Sequence, residues 1–299
     1  MTWQVAVAGT VHRDDITTPK GRTTSLGGSA LFFAIAASRF ARVHVNGIVG
    51  SDCRPEVHAV LEGLDVDLDG LEVSELPTFV WHAVHDFDRW VTSSESSEEG
   101  CDPTWSTELP PASAVAQVLF LASMRPQFQQ RVLGQSRARL VGADSMMVYI
   151  DSDATAVRRL MERVDMLFLN EEEVVGLTGI PDWRRAARSL CGAGRLRAAV
   201  VSRGPLGAAC VTHDMLLERP AVAVDDVVDP TGAGDALAAG FLGFCAEQER
   251  DDDASFAAAL DAGLVCAAHA VETFGTAGLR EFVARESVTG AELHGLDEQ

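Results

Sequence analysis

The sequence predicts a doubly wound α/β fold, in which helices cover both faces of a mostly parallel sheet. Strand-like and helix-like segments alternate along most of the chain, which is the pattern of a parallel sheet covered by helices. The strand-like segments are continuous apolar runs, as expected for strands buried on both faces. With 299 residues, of which 47% are hydrophobic, the chain is expected to form a single domain, residues 1–299, with a substantial core.

Seven short apolar runs have the character of buried strands. The first has no basic region before its apolar part, so we expect a strand there rather than a signal peptide. The predicted strands are Trp3–Ala8, Val43–Val49, Val118–Ala122, Arg139–Ala143, Met166–Leu169, Ala198–Ser202 and Ala208–Thr212.

Eight segments between or after these runs have helix signals. Their positions complete the strand–helix alternation on which the predicted fold class rests. The predicted helices are Ser29–Arg39, Arg54–Glu62, Pro126–Arg137, Ala154–Arg163, Glu171–Leu177, Trp183–Cys191, Gly234–Glu247 and Ala254–Val271.

Two segments interrupt the alternation. Residues 10–26 are polar and rich in turn formers, and residues 77–100 begin with an extended aromatic stretch. Within the second segment, Thr92–Glu99 reads T-S-S-E-S-S-E-E and is predicted to be an exposed, mobile loop. Both segments would leave the carboxyl end of a strand, where open α/β sheets bind ligands. We predict that they pair into a small β-lid over the site, and two ordinary surface excursions are the alternative.

Charge and composition restrict the partners. A net charge of −20 would repel nucleic acid and anionic membranes, and no apolar run approaches the roughly 20 residues that span a bilayer. The six cysteines lie far apart and form no C-x-x-C pair, which is typical of free thiols in a reducing cytosol. Lys20 is the single lysine and there is no P-loop motif, so backbone amides, arginines and a metal ion would have to hold any phosphate. We expect a cytoplasmic protein that binds neither nucleic acid nor membrane.

The motif D-P-T-G-A-G-D, Asp229–Asp235, is the most informative about function and runs directly into an apolar helix. Gly232, Ala233 and Gly234, which we call the anion loop, have little or no side chain. Their backbone N–H groups can therefore approach an anion at the positive end of the helix dipole. Asp235 follows this loop and could accept the proton of an attacking hydroxyl, as phosphoryl transfer requires. The alternative is that Asp235 only caps the helix.

A second motif, N-E-E-E, directly follows the predicted strand Met166–Leu169. Asn170 would lie at the carboxyl end of this strand, and Glu173 on the first turn of the next helix, facing the same crevice. An amide and a carboxylate there can orient hydrated Mg²⁺ beside a triphosphate, since Mg²⁺ keeps most of its waters. Acidic residues favour helix N-termini in any case, so a purely structural cap is the alternative.

Two further features indicate an acceptor site. Gly27 and Gly28 precede a helix, where they allow a substrate hydroxyl or the chain itself to approach closely. A plain tight turn is the alternative. Asp14, in the first lid segment, could accept two substrate hydroxyls or could be a solvated loop acid.

The order of these elements resembles that of the ribokinase-like (pfkB) carbohydrate kinase family. The resemblance extends from Val5 to about Leu279, includes Gly47–Asp52, and rests chiefly on D-P-T-G-A-G-D, a highly specific signature. It implies a mostly parallel sheet with helices on both faces and a small β-lid. It also implies ATP-dependent phosphorylation of an alcohol.

The family pattern implies roles for individual residues. The signature supplies the anion hole and the catalytic base, which here fall on the anion loop and Asp235. The N-x-x-E element, here Asn170 and Glu173, implies placement of Mg²⁺. Many members bind a monovalent cation near the start of the signature, which implies K⁺ near Asp229 and Thr231. The walls of the nucleotide site are resembled by two stretches, Val201-Ser202-Arg203-Gly204 and Thr273-Phe274-Gly275, and Thr231 is assigned to cofactor binding as well.

The chain departs from the family pattern at two places. Phe32 stands where ribokinases proper have an asparagine that touches ribose, and the family's D-x-N element reads Asp144-Ser145-Met146. Ribose is therefore disfavoured, and an acceptor with an apolar or aromatic side, such as a nucleoside, a deoxygenated sugar or a cyclitol, is favoured. Trp81, with Phe79 and Trp90, could stack on such a ring or could pack the lid on the sheet.

The sequence therefore predicts an ATP-dependent kinase that phosphorylates a hydroxyl of a small sugar-like molecule. A non-catalytic nucleotide or sugar sensor with the same fold is the alternative, and a nucleoside or hydroxymethylpyrimidine-type kinase remains open. A dinucleotide-dependent oxidoreductase is disfavoured because residues 7–12 lack G-x-G-x-x-G. The edge strands of the lid make a homodimer a reasonable expectation. The residues assigned to the acceptor are Asp14, Gly27, Gly28, Trp81 and Asp144.

Overall fold

The computed structural model describes residues 3–88, 91–192 and 194–285. Trp90, one of the three aromatic residues expected in the lid, lies outside these ranges. The strands that the structure describes are β1 Val5–Ala8, β2 His12–Thr18, β3 Gly21–Gly27, β4 Val43–Gly50, β5 Val66–Ser74, β6 Val80–Asp86, β7 Val91–Glu98, β8 Val118–Leu121, β9 Leu140–Asp144, β10 Met166–Asn170, β11 Ala198–Ser202, β12 Ala208–Thr212 and β13 Leu216–Arg219.

The helices agree with the predicted positions to within a few residues at most ends. None of the described helices is both long and apolar enough to cross a membrane. They are α1 Ser29–Ala37, α2 Arg54–Leu61, α3 Pro111–Ala114, α4 Pro126–Leu133, α5 Met147–Met161, α6 Glu171–Thr178, α7 Trp183–Leu190, α8 Ala233–Glu247, α9 Phe256–Val271 and α10 Ala277–Ala284.

The large sheet confirms the predicted fold class. Its nine strands have the order β13-β12-β11-β10-β9-β8-β1-β4-β5, and the pairs from β11 to β5 are parallel. The pairs β11–β12 and β12–β13 are antiparallel and extend one edge. Along β1, Val5 and Val7 belong to one apolar core, whereas Ala6 and Ala8 belong to the other. The sheet is therefore buried on both faces, which explains the continuous apolar runs.

The two segments that interrupt the alternation form a second sheet. Its four strands have the order β3-β2-β6-β7, with β2 and β6 parallel and the other pairs antiparallel. The hairpin β2–β3 follows β1, and β6 and β7 follow β5, so both segments leave carboxyl ends of the large sheet. Strands from residues 10–26 and from residues 77–100 thus pair through β2 and β6, and we call this small sheet the lid.

Several sequence predictions were wrong in detail. Thr92–Glu99 is largely strand β7 rather than a loop, because pairing with β6 supplies hydrogen-bond partners that composition does not reveal. Helix α5 begins at Met147, not at Ala154; its φ/ψ angles break at Asp153, whose Oδ1 accepts from Ala156 N–H at 2.9 Å. The predicted start therefore coincides with an internal cap. The missed elements are short or lie at sheet edges: β5, β13, α3 and α10.

Candidate active site

The anion loop depends on a glycine whose conformation and surroundings exclude a side chain. Gly232 is the N-cap of α8 and has a φ of 77°, in the left-handed region that glycine adopts without strain. A Cβ on Gly232 would lie 2.3 Å from the ring of Phe32. Phe32 is 1% exposed and comes from α1. Phe32, which stands where ribokinases proper have an asparagine, therefore packs directly against the anion loop.

Asp235 lies on the first turn of α8, directly after the anion loop. Its Oδ1 is shielded from solvent and has no hydrogen-bond partner among the residues that the structure describes. Burial, together with repulsion from Asp14 and Glu173, raises the pKa of Asp235 to about 7. A carboxyl whose pKa lies near neutrality can exchange a proton at neutral pH, which is the property of a general base. Capping alone does not explain an unpartnered oxygen at this place.

Asp14 is a buried acid held by a histidine, not a solvated loop residue. Asp14 is 1% exposed, its Oδ1 is 2.8 Å from His12 Nε2, and its Oδ2 has no hydrogen-bond partner within the described residues. A Cβ on Gly27 would lie 1.8 Å from Oδ2, and a Cβ on Gly28 would lie 2.5 Å from the Thr10 carbonyl oxygen. Both glycines are therefore required by close approach of the chain itself. The free Oδ2 can accept a hydroxyl of a substrate.

His12 is a functional candidate that the sequence analysis missed. Burial alone would lower its pKa, but Asp14, Asp102 and Asp235 together raise it. Its Nδ1 has no hydrogen-bond partner in the part of the chain that the structure describes. No sequence motif separates this histidine from an ordinary strand residue, because its importance comes from the acids that the fold brings around it.

Asp144 and Glu173 add two more acids to the site. Burial and repulsion from Glu173 and Asp235 raise the pKa of Asp144 well above its usual range. Burial likewise raises the pKa of Glu173, to about 7. Asn170 and Glu173 form a capping box at the start of α6, in which each side chain accepts from the other's backbone N–H at 2.8 Å. The pair therefore caps helix α6, which was the structural alternative to a metal-binding role. This cap fixes both residues at the carboxyl end of β10.

The pair Asn170–Glu173 fits a hydrated cation better than a directly held one. In the described ranges, no group of three or more His, Cys, Asp or Glu side chains could hold a metal ion. One Glu173 oxygen is engaged with the Asn170 N–H, which leaves the other for a metal-bound water. Mg²⁺ commonly binds through one or two carboxylates, waters and the phosphates of its nucleotide.

The residues that match the family's nucleotide site lie at two places. Ser202, at the end of β11, pairs in register with Asn170. The guanidinium of Arg203 donates to Glu171 at 2.7 Å and to Glu218 at 2.9 Å, so that it is already engaged. Gly204 begins a short 3₁₀ turn with a φ of 54°.

The segment with Phe274 and Gly275 lies against the lid hairpin. A Cβ on Gly21 would lie 3.9 Å from the Phe274 ring, and a Cβ on Gly275 would lie 2.7 Å from Ser25 Oγ. This segment and the lid hairpin are therefore in direct contact.

The start of the signature is tied to the lid. Asp229, which is 2% exposed, accepts the Thr231 N–H at 2.9 Å through Oδ1. His85 of β6 reaches the same residues, with Nε2 2.8 Å from Thr231 Oγ1 and 3.7 Å from Asp229 Oδ1. The sequence did not reveal that His85 lies beside the signature, since only the pairing of the lid strands brings it there.

Two of the three predicted aromatic residues lie beside the acids of the site. Trp81 pairs in register with Asp14 across β2 and β6, which places their side chains on the same face of the lid. The ring of Phe79 contacts that of His12 edge to face, with centroids 5.0 Å apart. Phe79 therefore packs within the lid, which was the alternative to stacking on a substrate ring, and it also borders the site.

Comparison with known proteins gives the family. The model of the pfkB family of carbohydrate kinases matches residues 3–281. The chain belongs to this family. It is therefore a kinase, a phosphotransferase with an alcohol group as acceptor, in a family that uses ATP. A cytidine kinase of Thermococcus kodakarensis is 28% identical over 249 residues, which cover 80% of this chain and 87% of the relative.

Solved structures support the fold of this pfkB-family chain. A nucleoside kinase of Burkholderia thailandensis in complex with inosine has a TM-score of 0.77 at 18% identity and covers 99% of both chains. An aminoimidazole riboside kinase of Salmonella enterica, complexed with aminoimidazole riboside and an ATP analogue, has a TM-score of 0.75 at 21% identity. That alignment covers 94% of this chain and 98% of the other. The ribokinase-like fold, with its separate small sheet, is confirmed.

The two glycines of the anion loop should respond differently to a methyl group. In Gly232→Ala the methyl group meets the Phe32 ring and the φ is strained, so we expect the free energy of unfolding to fall by about 1–3 kcal/mol. A Cβ on Gly234 has no heavy atom within 4 Å, so Gly234→Ala should leave stability unchanged or raise it by up to about 1 kcal/mol.

Gly234→Ala should nevertheless weaken ATP binding, because its methyl group extends into the open space before the loop. Urea unfolding and nucleotide titration of both variants measure these effects. Equal stability of the two variants would contradict the supporting role of Phe32.

Proposed function

We propose that this kinase transfers the γ-phosphoryl group of ATP to a hydroxyl of a nucleoside, with Asp235 as the general base. The observation that carries the proposal is the shielded, unpartnered Oδ1 of Asp235 beside the anion loop, on a carboxyl whose pKa is raised to about 7. An acceptor hydroxyl between Asp235 and the γ-phosphate would donate its proton to this oxygen as the new O–P bond forms.

The acceptor would be held by the acids opposite Asp235. Asp14 Oδ2 is free to accept a sugar hydroxyl, while His12 fixes the other oxygen. Asp144, at the end of β9, is near enough to Asp235 for that carboxyl to help raise the pKa of Asp144, and it can accept a second hydroxyl. Two or three hydrogen bonds at fixed positions orient the reacting hydroxyl, and orientation is a large part of phosphoryl-transfer catalysis.

ATP would be bound mainly by backbone groups. The amides of the anion loop can stabilise the charge that gathers on the transferred group, and the positive end of the α8 dipole favours the same charge. When bound, Mg²⁺ would neutralise the β- and γ-phosphate oxygens, oriented through water by Asn170 and Glu173. The nucleotide would extend along Ser202 and Gly204 toward Phe274 and Gly275.

A monovalent cation such as K⁺ belongs to the same proposal, near Asp229 and Thr231. The acid at this place is buried, and a cation beside it would offset its charge. Assays with and without K⁺ test this part.

A nucleoside fits the surroundings better than a free sugar. Beyond His12 the site continues to Asp102, whose Oδ1 is buried without a hydrogen-bond partner in the described residues. Burial raises the pKa of Asp102 to about 6, and that of the Tyr149 phenol to about 12. Together with the ring of Phe79, these groups offer polar and aromatic contacts of the kind that a nucleobase uses. The similarity to a cytidine kinase supports the same class and makes cytidine the first acceptor to test.

The lid would close over the acceptor and exclude water, which otherwise competes for the phosphoryl group. A homodimer through lid edge strands stays a prediction, to be measured by the mass of the protein in solution.

Asp235→Asn should lower transfer to the acceptor by about 10²–10⁴-fold, the usual contribution of a general base. Nucleotide binding should change little, because asparagine has nearly the same shape. The measurement is ADP formation with cytidine, other nucleosides, pentoses, hexoses and cyclitols, and direct ATP titration of both proteins.

Equal turnover of wild type and Asp235→Asn with the true acceptor would remove Asp235 from this role. If the wild type consumes ATP with none of these acceptors and Asp235→Asn does not alter slow ATP hydrolysis, a non-catalytic sensor is favoured instead.

The pH dependence should follow ionisation of Asp235. Since the base must be deprotonated and burial raises its pKa to about 7, kcat/KM for the acceptor should rise with pH up to about 7. Below that pH it should fall about tenfold per unit, because the protonated fraction cannot accept a proton. Activity that is flat between about pH 5 and 8 would contradict the assignment.

A further inference from the structure

Three side chains of the lid bind the segment that leads into the anion loop. Lys20 Nζ donates to Asp226 Oδ2 at 2.6 Å, and Thr18 Oγ1 donates to the Val228 carbonyl at 3.0 Å. The third contact joins His85 to Thr231, which directly precedes the loop. These contacts follow the chain in order, so the lid lies along residues 226–231 and ends on the signature.

The His85 contact differs from the Lys20 contact in burial, and from both other contacts in its position beside the anion loop. His85 is 6% exposed, whereas the Lys20–Asp226 pair is solvent-exposed, and such pairs contribute little. The Nδ1 of His85 is 2.8 Å from Thr92 Oγ1 of β7, and Nε2 is 2.8 Å from Thr231 Oγ1. One imidazole therefore connects two lid strands to the anion loop.

Both ring nitrogens of neutral His85 are satisfied in this arrangement. Asp229 Oδ1 lies 3.7 Å from Nε2, which favours the tautomer with hydrogen on that nitrogen. Nε2–H then donates to Thr231, and Nδ1 accepts from the hydroxyl of Thr92. Because Asp229 also accepts the Thr231 N–H, both the side chain and the backbone of Thr231 are fixed.

We infer that His85 is a positioning residue that couples closure of the lid to the conformation of the anion loop. This inference rests on the proposed function. The anion loop can stabilise a transferred phosphoryl group only when its amides point at one place, and Thr231 sets the path of the chain into Gly232. When the lid lies over the site, His85 is hydrogen-bonded to Thr231. When the lid moves away, this hydrogen bond is broken. Transfer would thus be favoured when the acceptor is enclosed and water is excluded.

The inference is tested first in the free protein by hydrogen exchange. His85→Ala should speed amide exchange of residues 231–236 at least tenfold. Lys20→Ala, which removes an exposed contact of the same lid, should leave this exchange and the activity unchanged. Unchanged exchange in His85→Ala would overturn the coupling. This measurement needs no acceptor, so it decides the inference even if no nucleoside is phosphorylated, a result that would count against the proposed function alone.

The second test is a double-mutant cycle on phosphoryl transfer to the acceptor. We expect His85→Ala and Thr231→Val each to lower transfer at least tenfold relative to acceptor-independent ATP hydrolysis. The double variant should be no worse than the more damaged single variant, because both changes remove one hydrogen bond. Effects that multiply, or an unchanged ratio of transfer to hydrolysis, would overturn the inference.

A second variant guards against loss of folding. His85→Leu fills a similar volume without hydrogen bonds and should give the same lowered ratio, whereas His85→Gln keeps a side-chain N–H donor and should restore most of it. A normal ratio in folded His85→Leu would show that only packing matters at this position and would overturn the coupling.

Discussion

The site is governed by the cost of burying several carboxyl groups close together. Asp14, Asp144, Glu173 and Asp235 converge at the carboxyl ends of the central strands. Burial raises the pKa of Asp144, Glu173 and Asp235, and repulsion within the group adds to the rise for Asp144 and Asp235. A carboxyl with a raised pKa favours folding less as the pH rises through that pKa, because the folded state then holds an unfavourable charge. Repulsion among such carboxylates is reduced by any group that supplies a proton or a positive charge, such as an acceptor hydroxyl, a protonated histidine or a metal ion.

The packing against the anion loop shows how the structure accommodates Phe32, which stands where ribokinases proper have an asparagine. Phe32 fills the space under Gly232, and its ring lies 3.3 Å from the position that a Cβ on Gly27 would take. The same apolar ring therefore borders both glycine motifs. An apolar support adds no hydrogen bond to the acceptor, so the polar contacts must come from Asp14 and from groups beyond His12.

The fold class, the order of the elements and the main motifs followed from the sequence. Hydrophobic periodicity and strand–helix alternation are local properties, and they placed β11 and β12 without error. Edge strands such as β5, with the sequence V-D-L-D-G-L-E-V-S, were missed because they are only partly buried and lack a continuous apolar run. β7 was missed because its partner strand, not its composition, makes it a strand.

The sequence predicted those parts of the candidate site whose functional groups lie together in one contiguous motif. D-P-T-G-A-G-D carries the anion loop and its base in seven consecutive residues, and N-E-E-E carries its own helix cap, so both could be read directly. Neither His12 nor His85 could be found in this way. His12 matters because Asp102 and Asp235, from distant segments, act on it together with the neighbouring Asp14. His85 matters because β6 reaches a residue 146 positions away. The sequence determined the local conformations and the reactive groups; only tertiary structure decided which charges meet, since electrostatic and hydrogen-bond contacts depend on distance in space and not along the chain.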